Sequence, residues 1–279
     1  MQSLPTAARR ILRNLGLLFL AIAISACVSQ RRDERLHSTL WVQTSAEYAV
    51  STRQVYSMAS DHLQAALVDP NWSAINGVAS PGLSPAIIVD VDETVLDNAG
   101  HAARAIMARE SFNVDTWRTW VREAAAPAVP GAVDYLRQVN AAGVTIFYVS
   151  NRHHDLEEPT RKNLAALGCP IRTDIDVVLL REERPGWHRD KSPRRDWVAR
   201  DFRVLQIVGD DLADFTSVPE GVDHEARGEI ASSHNQQWGR RWFLLPNPIY
   251  GGWEEALMQG EHSRFVKPLD RKLQQLETR

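Results

Sequence analysis

Short apolar runs and helical patterns alternate along most of this chain. Four runs bounded by polar or turn residues predict buried strands, at 86–90, 144–149, 176–180 and 204–208. Helical spacings lie between some of them, at 131–141 and at 156–167, where Gly168 stands in the position that typically closes a helix. This alternation predicts an α/β fold with a Rossmann-like, mostly parallel sheet flanked by helices.

Other segments extend this pattern on both sides. Residues 40–67 place apolar side chains on one helical face and predict a single long helix, which Asp69-Pro70-Asn71 ends. A loop rich in Gly, Pro and Ser follows at 76–85. Near the C-terminus, 242–245 predicts a late strand and 263–277 a surface helix.

Residues 98–127 do not fit the alternation of strands and helices. They carry Phe112, Trp117 and Trp120 among helical spacings, but no apolar run that would predict a strand. We interpret this stretch as a small helical cap inserted over the strand ends.

The first 26 residues have the pattern of a secretory signal peptide. Arginines at positions 9, 10 and 13 precede an apolar run at 15–24, and no acidic residue lies among them. A helix of ten residues reaches about 15 Å, whereas a hydrocarbon core measures about 30 Å. The pattern therefore favours a cleaved signal over a permanent transmembrane helix.

Ile24-Ser25-Ala26-Cys27 resembles a bacterial lipobox, in which the cysteine becomes the lipid-modified first residue of the mature protein. We therefore expect residues 1–26 to be removed, 27–39 to form a polar tether, and a lipid on Cys27 to attach the protein to a membrane. By the same resemblance, Val28 in place of Asp favours the outer membrane of a bacterial cell envelope.

Composition argues against several classes of protein, namely disordered, collagen-like and coiled-coil proteins. The chain has 279 residues, of which 44% are hydrophobic and 24% charged, an ordinary globular balance. Its net charge of −3 gives no basic bias toward a nucleic-acid polymer as partner. Two cysteines cannot form a disulfide framework. The oligomeric state stays open.

Polar side chains follow three of the predicted strands. The three segments are Asp90-Val91-Asp92-Glu93-Thr94, Ser150-Asn151-Arg152 and Gly209-Asp210-Asp211, with Asp214 four residues after Asp210. In open parallel sheets, ligands bind outside the carboxyl ends of the strands. We therefore expect these distant segments to converge on one crevice.

The acidic residues of these segments predict a metal site. Asp90 and Asp92 share a face of extended backbone, about 6–7 Å apart. With Asp210 and Asp214, up to four carboxylates surround one point, and their repulsion is costly unless a cation lies among them. Oxygen ligands select Mg²⁺ or Ca²⁺ over zinc, and a site that also faces a phosphate is typical of Mg²⁺.

The same residues are suited to phosphoryl transfer. One carboxylate can act as a nucleophile that forms an aspartyl-phosphate, and a second acid can protonate the leaving oxygen and later activate water. Ser150 and one lysine would donate to the phosphoryl oxygens. The candidate is Lys191, which lies just before a helical stretch.

Simpler interpretations remain open for these motifs at this point. The first motif can be a solvated acidic turn, and Ser150-Asn151 can cap the following helix. Arg194 and Arg195 are alternatives to Lys191. His153-His154 has no evident partner ligands and fits an exposed loop.

Together the motifs resemble the haloacid dehalogenase (HAD) superfamily of phosphohydrolases. The correspondence consists of a DxDxT motif at 90–94, Ser150, Lys191 and a GDxxxD motif at 209–214. The flanking segments resemble the class C acid phosphatases, also known as a family of 5′-nucleotidase lipoproteins. These segments are WVQTSAEY at 41–48, VDETVLDN at 91–98, YVSNR at 148–152, LPNP at 245–248 and YGGW at 250–253.

The resemblance implies a HAD-like phosphatase domain over 40–279, with Mg²⁺ as its cofactor. Asp90 would be the nucleophile and a Mg²⁺ ligand, and Asp210 a further ligand. Asp92 would be the general acid and base and would offer its backbone carbonyl to the metal. Thr94 would orient the first-motif loop, and Asp214 would support the metal site.

The resemblance also implies a phosphate site and a substrate class. Ser150, Asn151 and Lys191 would hold the phosphoryl oxygens of a small phosphomonoester such as a nucleoside 5′-monophosphate. Two features depart from the family pattern, namely Asp211 in place of Asn and an enlarged loop at 182–189. The alternatives are a surface lipoprotein that binds a phosphorylated ligand without turnover, and a phosphotransferase.

Overall fold

The computed structural model describes residues 33–75, 81–259 and 268–276. The predicted signal peptide, Cys27 and the first part of the predicted tether therefore lie outside the described residues. Among the helices that are described, none combines the length and the hydropathy that a membrane span requires.

A five-stranded parallel sheet forms the centre of the molecule, in the order β3-β2-β1-β4-β5. Its strands are β1 (Ser84–Val89), β2 (Thr145–His153), β3 (Val178–Arg181), β4 (Phe202–Gly209) and β5 (Trp242–Leu244). Helices cover both faces, and so the strands are apolar runs without alternation. The predicted α/β fold is confirmed, including the late strand.

Most of the helices that flank the sheet agree with the sequence pattern in type and differ mainly at their ends. They are α1 (Arg35–Thr44), α2 (Ala46–Val68), α3 (Ala99–Ala108), α4 (Val114–Glu123), α5 (Ala132–Ala141), α6 (Glu157–Ala166), α7 (Ser192–Asp201), α8 (His224–Ser233), α9 (Gly252–Leu257) and α10 (Pro268–Gln274). Gly168 follows α6 with a φ of +76°, and a Cβ atom there would collide with the Arg137 guanidinium. Glycine is therefore required after this helix, as predicted.

The predicted single helix over 40–67 was wrong in one respect, because two helices occupy this region. Ser45 is extended, with φ −82° and ψ 137°, and its hydroxyl accepts a hydrogen bond of 3.1 Å from the Tyr48 N–H. A serine side chain that caps a new helix competes with continuation of the old one. The first of the two helices begins at Arg35, within the stretch predicted as tether.

Residues 98–127, the predicted cap, contribute α3 and α4 beside the carboxyl ends of the strands. The two ends of this insert lie side by side, since the Asp97 N–H donates to the Pro127 carbonyl at 2.8 Å and the Val129 N–H to Val95 at 3.0 Å. Arg118 of α4 pairs with Asp155 beyond β2 at 2.9 Å. The insert is therefore anchored both at its base and at the neighbouring strand end.

Helix α8 had no predictive signal in the sequence. None of its residues is buried, so it has no apolar face that periodicity analysis would detect. Its start follows local capping instead, because the Asp223 side chain accepts from the Ala226 N–H at 2.9 Å. Arg227 of this helix nevertheless reaches the site described below.

Candidate active site

The first-motif loop leaves the sheet at a rigid point. Asp90 directly follows β1, and its N–H still donates to the Val208 carbonyl of β4 at 2.9 Å. The chain then turns back, and both Val95 and Leu96 donate their N–H groups to the Val91 carbonyl, at 2.9 and 2.8 Å. This tight turn holds Asp90 at the carboxyl edge of the central strand.

Three of the predicted carboxylates meet at this edge. Asp90, Asp210 and Asp214 each place a carboxylate oxygen within 4.8 Å of the others. The Lys191 ammonium group forms ion pairs with Asp90 and with Asp214, the latter at 2.5 Å. We call these four residues the aspartate cluster. The predicted convergence of distant segments is confirmed for it.

The fourth motif is shaped by a glycine and by a carboxylate that accepts backbone hydrogen bonds. Asp214 Oδ2 accepts from the N–H groups of Asp210 at 3.1 Å and Asp211 at 2.9 Å. A Cβ atom on Gly209 would collide with the same carboxylate. Only glycine therefore allows the strand end and Asp214 to approach this closely.

Two side chains hold the carboxylate of Asp210. The Thr94 hydroxyl donates to Oδ1 at 3.3 Å, and the Asn247 amide donates to Oδ2 at 2.8 Å. The Thr94 carbonyl in turn accepts from the Tyr56 hydroxyl of α2 at 2.5 Å. Thr94 thus joins the first-motif loop to the fourth motif, and Asn247 adds a contact from the segment after β5.

Burial governs the electrostatics of the aspartate cluster. It raises the pKa of Asp90 to about 7, and the charges of Asp214 and Asp92 act in the same direction against Lys191. Burial, Asp214 and Asp90 also raise the pKa of Asp210 well above its ordinary value. Burial lowers the pKa of Lys191, but Asp214 and Asp90 outweigh this and the net shift is upward. The single positive charge of Lys191 therefore does not balance the three carboxylates of the cluster.

A divalent cation fits this imbalance. The three carboxylates, of which those of Asp90 and Asp214 are buried and that of Asp210 is half-buried, have one ammonium group among them, so one negative charge is paired and two would be left in excess if all three ionised. Carboxylate oxygens are hard ligands of the kind that Mg²⁺ and Ca²⁺ accept. Asp90 and Asp210, together with Asp214, are the side chains that would hold such an ion.

The carboxylate of Asp92 does not join the aspartate cluster. Arg152 binds it through Nε at 3.0 Å and Nη2 at 2.8 Å, and the Asn98 amide donates to it at 2.9 Å. The Ser150 hydroxyl lies 3.3 Å from its other oxygen. Asp90 and Asp92 therefore share a loop, but their side chains have different partners.

Residues predicted to bind phosphate lie beside both acids. Ser150 is buried, and its hydroxyl also accepts from the Arg152 N–H at 3.0 Å. Arg194 donates to the Asn151 side-chain oxygen at 2.7 Å and to the Ser150 carbonyl at 2.6 Å. These bonds hold the end of β2 that carries Ser150 and Asn151.

The structure separates Lys191 from its two arginine alternatives. Arg194 is fully buried against the end of β2, and Arg195 donates to the Asp214 carbonyl at 3.0 Å. Of these three residues, Lys191 is the one whose side chain enters the aspartate cluster. The two arginines act on the backbone that carries the motifs.

Sequence reasoning missed a contact behind the first motif, between the buried Glu93 and Tyr250. Glu93 accepts hydrogen bonds from the Asn98 N–H at 2.9 Å and from the Tyr250 hydroxyl. Burial raises the pKa of Glu93 to about 8, and the Asp92 charge adds to this. Both residues lie in segments quoted for the family resemblance, but no local pattern indicated that they meet.

Asp211 does not add charge to the aspartate cluster. Its carboxylate accepts from Arg227 of α8 at 2.8 Å, from the Ala213 N–H at 2.9 Å and from the Gly252 N–H at 2.6 Å. Burial raises the pKa of Asp211, but these donors outweigh it and the net shift is downward. This departure from the family pattern is therefore balanced by a cation of its own.

The loop at 182–189 forms a compact closed turn. The Glu182 N–H donates to the Trp187 carbonyl at 2.7 Å, and Trp187 is buried. The Arg184 guanidinium lies against the rings of Trp187 and Trp197, at 5.0 and 4.7 Å from their centroids. The enlarged loop is thus tied down just before Lys191.

The two histidines after β2 have different surroundings. His154 is exposed, as predicted, whereas His153 is half-buried and bonds Asp155 at 2.6 Å. Neither belongs to a group of potential metal ligands among the described residues.

Comparison with known proteins adds independent findings. The family model described as HAD superfamily, subfamily IIIB (Acid phosphatase) matches residues 21–253. The class C acid phosphatase from Bacillus anthracis is similar in structure, with 31% identity, a TM-score of 0.75, and coverage of 88% of this chain and 98% of that one. Its tungstate-bound structure gives 30% identity, a TM-score of 0.75, and coverage of 89% and 98%.

One plant protein is also similar. Acid phosphatase 1 of Solanum lycopersicum is 27% identical over 167 residues, which represent 58% of this chain. The match covers 57% of that protein, so the chain spans somewhat more than half the length of this curated relative.

Proposed function

The chain belongs to the acid phosphatases of HAD subfamily IIIB, and from that premise we propose that it hydrolyses phosphomonoesters with Mg²⁺ as cofactor and Asp90 as nucleophile. The observation that carries the proposal is the buried aspartate cluster at the carboxyl edge of the sheet. Its excess of negative charge is suited to one divalent ion, which together with Lys191 would offset the charge of a phosphoryl group.

The reaction has two steps. An Asp90 oxygen attacks phosphorus, the bond from phosphorus to the leaving oxygen breaks, and Asp92 gives that oxygen its proton. Water then attacks the phosphorus of the aspartyl-phosphate, its proton passes to Asp92, and inorganic phosphate leaves with Asp90 restored. Bound Mg²⁺ would supply positive charge to the phosphoryl oxygens.

Residues of the chain also bind the phosphoryl group. The Lys191 ammonium lies against Asp90 and is a donor to oxygens of a group attached there. Ser150 and Asn151 supply a hydroxyl and an amide from the end of β2. Asp214 keeps Lys191 in place, and its other oxygen holds the backbone that carries Asp210.

Nucleoside 5′-monophosphates are the proposed substrate class. Tyr250 and Trp253 expose 40% and 41% of their surface, and the ring of Trp117 is half-buried beside Arg152. Exposed aromatic rings are suitable surfaces for a base. Trp120, by contrast, is buried and donates to Asn98 at 2.8 Å, which assigns it to cap packing.

The proposed activity is tested by phosphate release from p-nitrophenyl phosphate and from a panel of nucleoside 5′-monophosphates. EDTA should abolish release, and added Mg²⁺ should restore it. Asp90→Asn should be inactive, whereas Asp61→Asn, an exposed acid on α2, serves as the matched control. Saturable binding without phosphate release would support a binding protein instead, and transfer to an added alcohol would support a phosphotransferase.

The proposed location is the outer membrane of a bacterial cell envelope, with a lipid on Cys27 as the anchor. The support is the charged, apolar and small-residue pattern of residues 1–27. Labelled fatty acid should be incorporated into the wild-type protein and not into Cys27→Ser. Incorporation into both proteins would refute the assignment.

A further inference from the structure

Arg152 binds the Asp92 carboxylate through its guanidinium group. The side chain is buried, with 3% of its surface exposed. Nε lies 3.0 and 3.2 Å from the two Asp92 oxygens, and Nη2 lies 2.8 Å from the first of them. Such a two-pronged arrangement defines the plane of the carboxylate as well as its position.

Arg152 is itself held on its remaining sides. Nη1 donates to the Thr160 hydroxyl of α6 at 3.0 Å, and that hydroxyl donates to the Leu156 carbonyl at 2.7 Å. The guanidinium carbon lies 5.6 Å from the centroid of the Trp117 ring in the cap. Its backbone N–H is bound to Ser150. The guanidinium therefore has few alternative positions.

The cap reaches Asp92 by a second route. The Asn98 amide donates to the same carboxylate, and the Asn98 oxygen accepts from Trp120 of α4. The acid is therefore held by β2, through Arg152, and by the cap, through Asn98. Its direction is determined by tertiary contacts rather than by the flexible part of its own side chain.

We propose that Arg152 is a positioning residue that acts through Asp92, by directing the carboxyl group at the oxygen of the leaving alcohol. The inference rests on the proposed function, because it takes Asp92 as the general acid. A guanidinium that merely stabilised the local fold would affect all substrates alike. A guanidinium that aims the acid affects substrates according to how much they need its proton.

Leaving groups of different acidity separate these two roles. The leaving oxygen of p-nitrophenyl phosphate is a stable phenolate and needs little protonation, whereas the alkoxide from propyl phosphate needs a full proton. The ratio kcat/KM reports on steps up to the first P–O cleavage, so later hydrolysis of the aspartyl-phosphate does not enter it. The quotient of the two kcat/KM values therefore measures use of the general acid.

The test compares single variants at Arg152, Thr160 and Arg161 with the wild-type enzyme in the presence of Mg²⁺. Arg152→Met should lower kcat/KM for propyl phosphate about 100-fold, the lower end of general-acid effects, and for p-nitrophenyl phosphate only a few-fold. Arg152→Lys should fall between, because one ammonium cannot bind both oxygens in a plane. Thr160→Val is nearly isosteric and remote from the reacting atoms. It should also lower kcat/KM more for propyl phosphate than for p-nitrophenyl phosphate, with smaller losses than Arg152→Met.

Arg161→Met is the matched control. Arg161 also belongs to α6 and pairs with two carboxylates, Glu157 at 2.7 Å and Asp176 at 2.5 Å, outside the site. Its loss should not change the quotient. In an Asp92→Asn background, Arg152→Met should add no further loss on propyl phosphate.

Different results would refute the positioning role of Arg152 and the proposed function of the protein. Equal losses on both substrates in Arg152→Met and Thr160→Val, or a further loss in the Asp92→Asn background, would refute the positioning role alone. A wild-type enzyme that releases phosphate from neither substrate would refute the proposed function itself.

Discussion

Asp90 and Asp92 stand two residues apart on one loop and have opposite electrostatic surroundings. Asp90 lies with Asp210 and Asp214 around a single ammonium group. Asp92 is matched by one guanidinium and one amide. An unbalanced group of carboxylates is suited to bind a cation and a phosphoryl group, whereas a balanced carboxylate is held for its direction. Proximity in sequence therefore does not imply a shared role.

The backbone explains how the two acids diverge. Val91, between them, is fully buried, and Asp90 is buried as well. Glu93 then adopts a φ of +55°, and the chain turns back toward Val91. Asp92 bonds Arg152 of β2 and Asn98 at the start of the cap, while Asp90 stays beside β4 through its N–H bond to Val208.

Asp90→Asn gives the largest expected effect. The amide retains the shape of the side chain and loses nucleophilicity, so kcat on p-nitrophenyl phosphate should fall by at least about 10³-fold. The loss should be similar for alkyl and aryl phosphates, because both need the same nucleophile. Retention of near wild-type kcat would remove Asp90 from its proposed role, whereas Asp61→Asn should be unaffected.

Asp92→Asn should produce a smaller and selective loss. We expect kcat/KM to fall about 10²- to 10⁴-fold for propyl phosphate and clearly less for p-nitrophenyl phosphate. Steady-state assays with both substrates provide the measurement. A uniform loss, as expected for Asp90→Asn, would mean that the two acids do not have separate functions.

Mg²⁺ should stabilise the protein through the aspartate cluster. A ligand at 100 times its Kd adds about 2.7 kcal/mol to the free energy of unfolding, which is measurable as a rise in Tm. Asp210→Asn should reduce this rise, whereas Asp92→Asn should preserve it because its carboxylate is engaged by Arg152. A rise that Asp92→Asn abolishes and Asp210→Asn leaves intact would reverse the comparison.

Acid pH should weaken Mg²⁺ binding, and this is the smallest effect that we expect. Burial raises the pKa of Asp90 to about 7, so below that pH its carboxyl binds a proton that the ion must displace. The apparent Kd for Mg²⁺ should therefore increase by up to about tenfold for each unit of pH below 7 for one displaced proton. Mg²⁺ titrations of Tm at pH 5.5 and 8 would measure it, and an unchanged Kd would contradict it.

Much of the fold was predictable because it depends on local patterns. Apolar runs and helical spacings predicted the five strands and most helices, since burial on both faces of a parallel sheet leaves a direct trace in the sequence. The break at Ser45 and the helix His224–Ser233 were missed. The first follows from one side-chain hydrogen bond within an amphipathic stretch, and the second has no buried face.

The site was predictable in part. Aspartates at strand ends, with Ser150 and Lys191, identified the motifs, because parallel strands bring their carboxyl ends to one edge. Contacts made by Arg152 with Asp92, Tyr250 with Glu93 and Asn247 with Asp210 had no such signal. They join residues separated by 60, 157 and 37 positions.

The sequence by itself determined the strands of the sheet, the polar residues at their carboxyl ends, and the accumulation of acids at one edge. These features follow from periodicity and topology. Only the tertiary structure decided which acid stays unbalanced beside Lys191 and which is paired with Arg152. That choice depends on where the turn after Asp90 sends each side chain and on which distant partner is packed there, and no local pattern encodes it.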